Sequence, residues 1–573
     1  MALLSLKKGL RFAIIPVSAS LAFVSQTSSA LDFSLGEIDG QFDSNISMGA
    51  SWRLNEFKSQ NVASGNASNG LASSSTNDDG TLNFENDKTF SKTFKGVHDL
   101  QLSYKQSGLF TRFNYWYDKE LKDEFRQHGH GPNDYTSGKL NDDDFSDRST
   151  FSGFGVLDAF LYTSFDIADK PVDLRLGKQV VNWGESTFIQ NSINAFNPIQ
   201  VSAFRRAGAE IKEALLPVNM LFGSIALTEN LSLEAFYQLE WEKTEIDPCG
   251  TFFSTSDVAA EGCNTLTLSN AFPDSVLASM PIPSGTGSLL RTQNREPDDD
   301  GQFGISVKLY APELNDTEFG FYYLNYHSRV PLLGVTTADG GVPNYFMGFP
   351  EDVQLYGVSF NTNMGAWAVS GELSHRRDLP VQINGAEVIG GFAAALGLGL
   401  PNTFTSRVVM GEDVAGWDLF DSSQLQMTLI RTFNQVAGAS RLVFVNELGF
   451  SHIHGDMSAH PYGRSTNYGA GSVGDEGFVT RDAWGYRTRI SLQYLNAFSG
   501  VNLTPTLSWA HDVNGVSPTG GSFNEGNRTV GFALKGTYQE RYQAEISYKN
   551  FFGGDFNTLE DRDFASLSFG IVF

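Results

Sequence analysis

The last eleven residues, DFASLSFGIVF, alternate between apolar residues and mainly small or polar ones and stop on an aromatic residue. The apolar set contains Ala565, Leu567, Phe569, Ile571 and Phe573. A period of two is typical of a β-strand with one apolar face. Chain ends are usually polar and frayed. An apolar strand in this position therefore predicts a partner strand and apolar surroundings.

The same alternation recurs along the chain. The clearest examples are residues 100–104, 109–116, 172–177, 305–309, 530–538 and 542–549. Each predicts a strand with one apolar and one polar face. A soluble β-sandwich would show a similar pattern, so the alternation alone does not decide between a sandwich and a barrel.

The spacing of the connections separates these two folds. Short turns alternate with nine long polar segments, at residues 56–95, 119–151, 183–215, 245–300, 331–350, 378–415, 456–480, 513–526 and 552–562. Such alternation is typical of bacterial outer-membrane barrels, which have short periplasmic turns and long extracellular loops. The sequence predicts an all-β, antiparallel transmembrane barrel of about 18 strands, with 16 as the alternative. The last strand should close against a first strand near Phe42–Leu54, because lipid tolerates no open edge.

The N-terminus predicts export. Basic residues Lys7, Lys8 and Arg11 precede an apolar stretch, and small residues precede Leu31. This layout is that of a secretory signal peptide at residues 1–30, with a buried N-terminal helix as the alternative. Residues 31–573 then form a single barrel domain in the outer membrane of a Gram-negative bacterium.

Composition agrees with a strand-rich chain and excludes one class of partner. The sequence has 46 Phe, 19 Tyr and 58 Gly, and its formal net charge is −25. Aromatic residues favour strands, and glycine favours turns. Nucleic-acid binding is excluded, because a phosphate-binding surface needs clustered Lys and Arg.

The final strand also suggests how the protein is inserted. Phe569, Ile571 and Phe573 resemble the signal read by the barrel assembly machinery of the outer membrane. We therefore expect that machinery as a partner, together with outer-membrane lipids and lipopolysaccharide.

Three segments carry a family resemblance: Gly36–Leu54, Leu174–Met220 and Asn230–Trp241. They resemble a proteobacterial outer-membrane family that is catalogued only as a domain of unknown function. The resemblance implies a barrel that fills the mature chain. It also implies that the gene lies near genes for an inner-membrane RND-type transporter and a periplasmic protein, which are expected as partners. Members of the family recur with the metabolism of hydrophobic compounds. It implies no cofactor and no catalytic residue.

Polar residues on strand faces and in the long loop after residue 174 are candidates for a substrate path. They are Arg112, Arg175, Gln179, Asn182, Trp183, Glu185, Arg205 and Arg206. The cationic members either solvate a water-filled lumen or line a path that favours anionic solutes. The loop members form either a constriction or a hydrogen-bonded network that only orders the loop.

A second candidate is the apolar segment Asn384–Asn402. Its large side chains are Ile389, Phe392, Leu396 and Leu398. We expect a short helix that ends at Pro401. It acts either as an apolar gate at the barrel mouth or as a helix packed on neighbouring loops.

Metal and catalytic signals are weak. The 9 His residues show no zinc spacing, and the acidic pair Asp78–Asp79 is interpreted as solvated loop charge. The sequence has no motif of a catalytic nucleophile, so we do not expect an enzyme. We also expect no cofactor. The two cysteines, Cys249 and Cys263, fall in one predicted extracellular loop. In an oxidising compartment they predict a disulfide.

These observations favour a transport channel for hydrophobic or amphipathic compounds, such as long-chain hydrocarbons, fatty acids and sterol-like molecules. One alternative is the outer-membrane component of an RND-linked export system for lipids or metabolites. The other is a barrel that does not transport and serves as an adhesin, scaffold or enzyme.

Overall fold

The structure, a computed structural model, describes residues 31–126, 128, 138–267, 270–273, 276, 288–469, 476–518 and 521–573. The predicted signal peptide, residues 1–30, lies outside these residues. Within them the chain forms twenty-four β-strands and five α-helices.

Eighteen strands pair antiparallel around a closed wall, which confirms the predicted barrel. The wall strands are β2 (Ile38–Arg53), β3 (Thr89–Tyr104), β4 (Ser107–Asp118), β5 (Ser152–Ile167), β6 (Lys170–Gln179), β7 (Val218–Thr228), β8 (Leu231–Gln238), β11 (Phe303–Ala311), β12 (Thr317–Tyr326), β15 (Val353–Met364), β16 (Trp367–Gln382), β18 (Trp417–Val436), β19 (Ala439–Ile453), β20 (Asp482–Phe498), β21 (Val501–Asn514), β22 (Arg528–Tyr538), β23 (Tyr542–Phe552) and β24 (Phe564–Val572). Strand β24 closes the wall against β2, from the pair Asn45–Val572 to the pair Arg53–Phe564. Closure satisfies the backbone groups that lipid could not.

The alternation of short and long connections is confirmed. The nine long connections span residues 54–88, 119–151, 180–217, 239–302, 327–352, 383–416, 454–481, 515–527 and 553–563. In outer-membrane barrels the long loops are extracellular and the short turns periplasmic. The largest boundary difference is at β3, which begins at Thr89 rather than after residue 95. Its polar residues Ser91 and Thr93 donate hydrogen bonds to Asp118, so a stretch that was predicted as a loop is part of the wall.

The two faces of the wall differ as the alternation predicts. In β24, Ser566, Ser568 and Gly570 line a cavity inside the barrel. Phe569, between Ser568 and Gly570, lies on the outer face and is 52% exposed. Large apolar side chains exposed elsewhere on the wall include Met48, Phe94, Phe321, Leu425 and Ile546. An apolar outer face is the surface that a bilayer requires.

Strand β1 (Leu31–Leu35) is an element that the sequence analysis did not predict. It folds back on the start of β2, from the pair Leu35–Ile38 to the pair Leu31–Phe42. Gly36, at φ +68°, forms the turn. The hairpin covers the part of β2 that lies beyond the end of β24.

The extracellular loops build a second, smaller sheet above the barrel. Its strands are β9 (Thr265–Thr267), β10 (Ser288–Arg291), β13 (Leu332–Thr336), β14 (Asn344–Gly348) and β17 (Asp413–Ala415). We call this sheet and the loops packed on it the cap. Its apolar core includes Val335, Tyr345, Met347, Phe392 and Val414.

Helices are few and short. They are α1 (Asp79–Leu82), α2 (Lys119–Asp123), α3 (Val201–Arg205), α4 (Ile211–Ala214) and α5 (Gly385–Ala395). Single 3-10 turns span Ser59–Asn61, Ile193–Phe196, Pro312–Leu314, Thr405–Arg407 and Thr466–Tyr468. None of the helices in the described part of the chain has the length and apolar character needed to cross a bilayer.

Cys249 and Cys263 form a disulfide, as predicted, with their Cα atoms 5.9 Å apart. Both are fully buried in a small apolar cluster of the cap that includes Leu140, Phe145 and Phe151.

Loss of this disulfide should have a local effect. A bond that closes a loop of about 15 residues contributes about 3 kcal/mol, so C249S/C263S should loosen residues 239–302 and leave the barrel intact. Limited proteolysis of intact cells should cut this loop faster in the variant, while the barrel keeps its heat-modifiable mobility. Two free thiols in the wild-type protein would contradict the assignment.

The terminal residue offers a test of barrel closure. Phe573 donates its N–H to the Ser44 carbonyl (2.9 Å) and accepts the Ser44 N–H (2.7 Å). A polar F573S variant loses the apolar anchor at the seam, so we expect less folded barrel in outer-membrane fractions. The F573Y variant keeps an aromatic ring and should assemble nearly as well as wild type. Equal amounts of both variants would count against a role for the terminal ring.

Candidate functional site

The connection between β6 and β7, residues 180–217, folds inside the barrel and is called the lumen loop here. Its first half is held by a carboxylate on the far wall. Glu447 of β19 accepts the backbone N–H groups of Thr187 (2.8 Å), Phe188 (2.6 Å) and Ile189 (2.7 Å). A carboxylate with several N–H donors satisfies backbone groups that would otherwise be buried without partners.

A second carboxylate, Glu372 of β16, holds the same part of the loop. It accepts the N–H groups of Ser186 (3.1 Å), Ile193 (3.4 Å) and Glu185. Between the two carboxylates, the amide of Gln426 donates to the Ile189 carbonyl at 2.9 Å. The loop thus reaches from β6 across the lumen to β16–β19.

The second half of the lumen loop returns to the wall near the closure. Lys95 of β3 forms a buried ion pair with Glu213 of α4 at 2.5 Å and donates to the Gly208 carbonyl at 2.9 Å. Gly49 of β2 lets the loop approach the wall closely, because a Cβ there would lie 2.6 Å from the Ala207 Cβ. The lumen loop is therefore anchored on two sides of the barrel.

Two of the predicted path arginines are held by different contacts, Arg112 by ion pairs and Arg175 by aromatic rings. Arg112 donates to Asp99 (2.7 and 2.9 Å) and to Asp158 (3.0 Å). Arg175 lies over the rings of Phe160 and Phe222, at 5.8 and 5.3 Å.

The predicted residues near the start of the lumen loop also have definite positions. Gln179 is buried and donates to the Met220 carbonyl at 3.2 Å. Trp183 is buried and donates its indole N–H to Glu234 at 2.6 Å. The Glu185 side chain accepts from Asn361 at 3.1 Å. Asn182 is exposed. Gln179 and Trp183 thus order the loop, while Asn182 is open to solvent.

Arg205 and Arg206 lie where the lumen loop meets a cavity of about 320 Å³. Arg205 is 2.9 Å from Asp247, and its guanidinium lies 4.1 Å from the centre of the Phe253 ring. Arg206 lies over Trp116 at 4.7 Å. The opposite side of this lumen cavity carries further polar residues from the wall strands: Ser47, Lys535, Glu545, Lys549 and Ser566.

A larger cavity of about 930 Å³, the vestibule, lies among the cap loops. The four predicted gate residues border it: Ile389, Phe392, Leu396 and Leu398. Phe392 is 1% exposed and packs in the cap core, whereas Leu398 is 65% exposed. The α5 segment is therefore both a packed helix and part of a vestibule wall.

The predicted end of this helix was wrong. Helix α5 begins after Asn384, whose side chain accepts the N–H groups of Ala386 and Glu387, and it ends at Ala395 rather than at Pro401. Gly397, at φ +79°, accounts for the early end, since a left-handed residue after the last turn is a common helix stop.

A third cavity, of about 70 Å³, borders the vestibule and is called the arginine pocket. The two cavities share wall residues Val330, Ser517, Pro518, Gly521 and Phe523. Arg329 and Arg376 line the pocket, and Asn191 and Ala195 of the lumen loop border it. The sequence analysis missed both arginines, because nothing in the local pattern distinguishes them from charges that face solvent.

The interpretation of Asp78 and Asp79 as solvated loop charge was wrong. Both are buried, and Asp78 accepts the Ala63 N–H at 2.8 Å. Asp79 lies 2.8 Å from the His128 imidazole. The ligand atoms of Asp78, Asp79 and His128 lie within 4.8 Å of one another. The Asp78 contact orders the first extracellular loop, and the Asp79 contact joins it to the second.

A closed barrel with an apolar outer face and a polar lumen that is crossed by a loop defines the class: a bacterial outer-membrane β-barrel. The family described as "Protein of unknown function (DUF1302)" matches residues 11–573. The chain therefore belongs to this family, as the sequence resemblance predicted. None of the curated proteins compared with the chain matches it.

Solved outer-membrane barrels resemble the chain in overall shape. One is OccAB1 of Acinetobacter baumannii, with 10% identity, a TM-score of 0.41, and coverage of 96% of this chain and 99% of that one. Another is a BenF-like porin from Pseudomonas fluorescens Pf-5, with 7% identity, a TM-score of 0.40, and coverage of 93% and 98%. These similarities concern the shape of the barrel and say nothing about its cargo.

Removing a loop anchor should open the lumen. Each hydrogen bond to a charged group contributes roughly 1.5–3 kcal/mol, so E447A should release the lumen loop from β19 and raise the single-channel conductance in planar bilayers. The E447Q variant keeps an acceptor oxygen and should show a smaller increase. Wild-type conductance in a folded E447A barrel would show that Glu447 does not hold the loop in place.

Proposed function

We propose that the protein is an outer-membrane channel for amphipathic or hydrophobic compounds, of the long-chain hydrocarbon, fatty-acid or sterol-like classes. The vestibule is the observation that carries this proposal. It offers about 930 Å³ at the extracellular end, with apolar walls formed by α5 and by cap residues such as Val258 and Leu333.

An apolar vestibule gives an apolar molecule a favourable binding site, which a purely polar pore lacks. A water-filled lumen gives an apolar molecule no favourable transfer from the medium. Burial of about 200 Å² of apolar surface in the vestibule would contribute about 5 kcal/mol, at roughly 25 cal/mol per Å². The cap would therefore concentrate such compounds at the barrel mouth.

In this proposal the lumen loop controls passage through the barrel. It lies between the arginine pocket, which Asn191 borders, and the lumen cavity, which residues 204–210 border. Its anchors are hydrogen bonds and one buried ion pair, which can exchange without breaking the barrel wall. We infer that passage requires displacement of this loop from Glu372 and Glu447.

Leu396 and Leu398 border the vestibule and are less buried than Phe392 of the cap core: Leu396 is half-buried against that core, and Leu398 is exposed. In the variant L396N/L398N two amides replace apolar side chains that border the cavity, so a long-chain fluorescent probe should bind about tenfold more weakly or worse. Uptake of the probe by cells should fall in parallel. The measurement is equilibrium binding to the purified barrel, followed by uptake in a deletion strain that carries each variant.

The matched control is L400N. Leu400 is 89% exposed and is not part of the vestibule wall, so the same chemical change there should leave binding and uptake as in wild type. Equal behaviour of L396N/L398N and wild type would remove the support for apolar cargo.

A further inference from the structure

Two buried arginines line the arginine pocket. Arg329, in the loop after β12, is 3% exposed, and Arg376, in β16, is 6% exposed. Both line the arginine pocket with Tyr326, whose side chain lies within electrostatic range of both guanidinium groups.

Every hydrogen bond that Arg329 makes goes to a neutral acceptor. Its Nε donates to the Phe196 carbonyl (3.1 Å), one Nη donates to the Glu242 carbonyl (2.9 Å), and the other donates to the Gln238 side chain (2.6 Å). Burial lowers the pKa of Arg329 to about 9, because the interior solvates its charge poorly.

Arg376 is less well satisfied. One Nη donates to the Gln424 side chain at 3.4 Å. Its Nε is buried and has no hydrogen-bond partner among the residues that the structure describes. The Tyr326 hydroxyl is a further hydrogen-bond partner of Arg376. A guanidinium has five N–H donors in a planar fork, and the acceptors around Arg376 are neutral.

Neither guanidinium has an ionic partner. In the described part of the chain, no carboxylate oxygen lies within 4.0 Å of Arg329 or Arg376. Some partly buried arginines are paired, such as Arg205 with Asp247 at 2.9 Å and Arg487 with Asp512 at 2.6 Å. Others are not: Arg291 donates to neutral acceptors. The chain has 65 acidic residues against 40 basic ones. Burial of charge without an ionic partner is costly, and Arg329 and Arg376 place two such charges in the wall of one small cavity.

We propose that the arginine pocket binds the carboxylate head group of an amphipathic compound whose apolar body lies in the vestibule. This inference rests on the proposed function and names the substrate class. The planar fork of a guanidinium matches the two oxygens of a carboxylate.

The size and position of the pocket agree with this occupant. A water molecule takes up roughly 30 Å³, so about 70 Å³ suits a small head group and excludes an alkyl chain or a sterol ring system. The pocket shares wall residues with the vestibule, Val330 and Phe523 among them, so a molecule with its head group in the pocket would have its body directed toward the vestibule.

The test compares two probes that differ only in the head group, dodecanoate and dodecan-1-ol. Binding to the purified full-length barrel in lipid nanodiscs should favour dodecanoate. The R376Q variant should weaken dodecanoate binding about tenfold or more and leave dodecanol binding unchanged. R376K keeps the charge but loses the fork and should fall between the two.

The matched control is R407Q. Arg407 lies in the cap but is paired with Asp418 at 2.6 Å, so its loss should leave the preference for dodecanoate intact. Heat-modifiable mobility shows that each variant is folded. If R376Q does not fold, R376K and R329K provide the comparison, since both keep the buried charge.

The outcomes separate this inference from the proposed function. If the wild type binds both probes equally, the carboxylate pocket is overturned and the apolar vestibule stands. If it binds neither probe, the proposed function fails as well. A folded R376Q that keeps the full preference for dodecanoate overturns the assignment of the pocket.

Discussion

The structure depends on the closure of its backbone hydrogen bonds in a solvent that offers none. The pairing of β24 with β2 leaves the wall without an unpaired edge. Closure with a two-residue period directs every second side chain inward, so polar residues are collected in the lumen. That polar interior is what allows an irregular loop to lie at membrane depth, because the wall can supply its hydrogen bonds.

Charge inside the barrel is used in two different ways. The lumen loop compensates the charge of Glu447 with backbone N–H groups. It compensates the charge of Lys95 with the carboxylate of Glu213. At Arg329 and Arg376 no carboxylate of the described residues lies within 4.0 Å. The first arrangement holds a structure together. The second, in our proposal, receives the carboxylate of a ligand whose apolar body lies in the neighbouring vestibule.

The barrel could be predicted from the sequence because the patterns that specify its strands and turns are local. A period of two and the spacing of turns specify strands and loops whatever the rest of the chain does. The course of the lumen loop could not be predicted, since it depends on pairs such as Phe188 and Glu447, 259 residues apart. The same limit applies to Arg376, whose surroundings come from strands and loops distant in sequence. The early end of α5 has a local cause, because the left-handed Gly397 stops the helix before Pro401 is reached.

The anchors of the lumen loop recognise main chain rather than side chain. Glu372 and Glu447 accept N–H groups that any residue except proline provides, so most substitutions between Glu185 and Ile193 leave the docking contacts in place. The side chains of this part of the loop are therefore not needed for these docking contacts. Evolution can alter the chemistry of the lumen by changing them one at a time, while the architecture that presents them stays fixed.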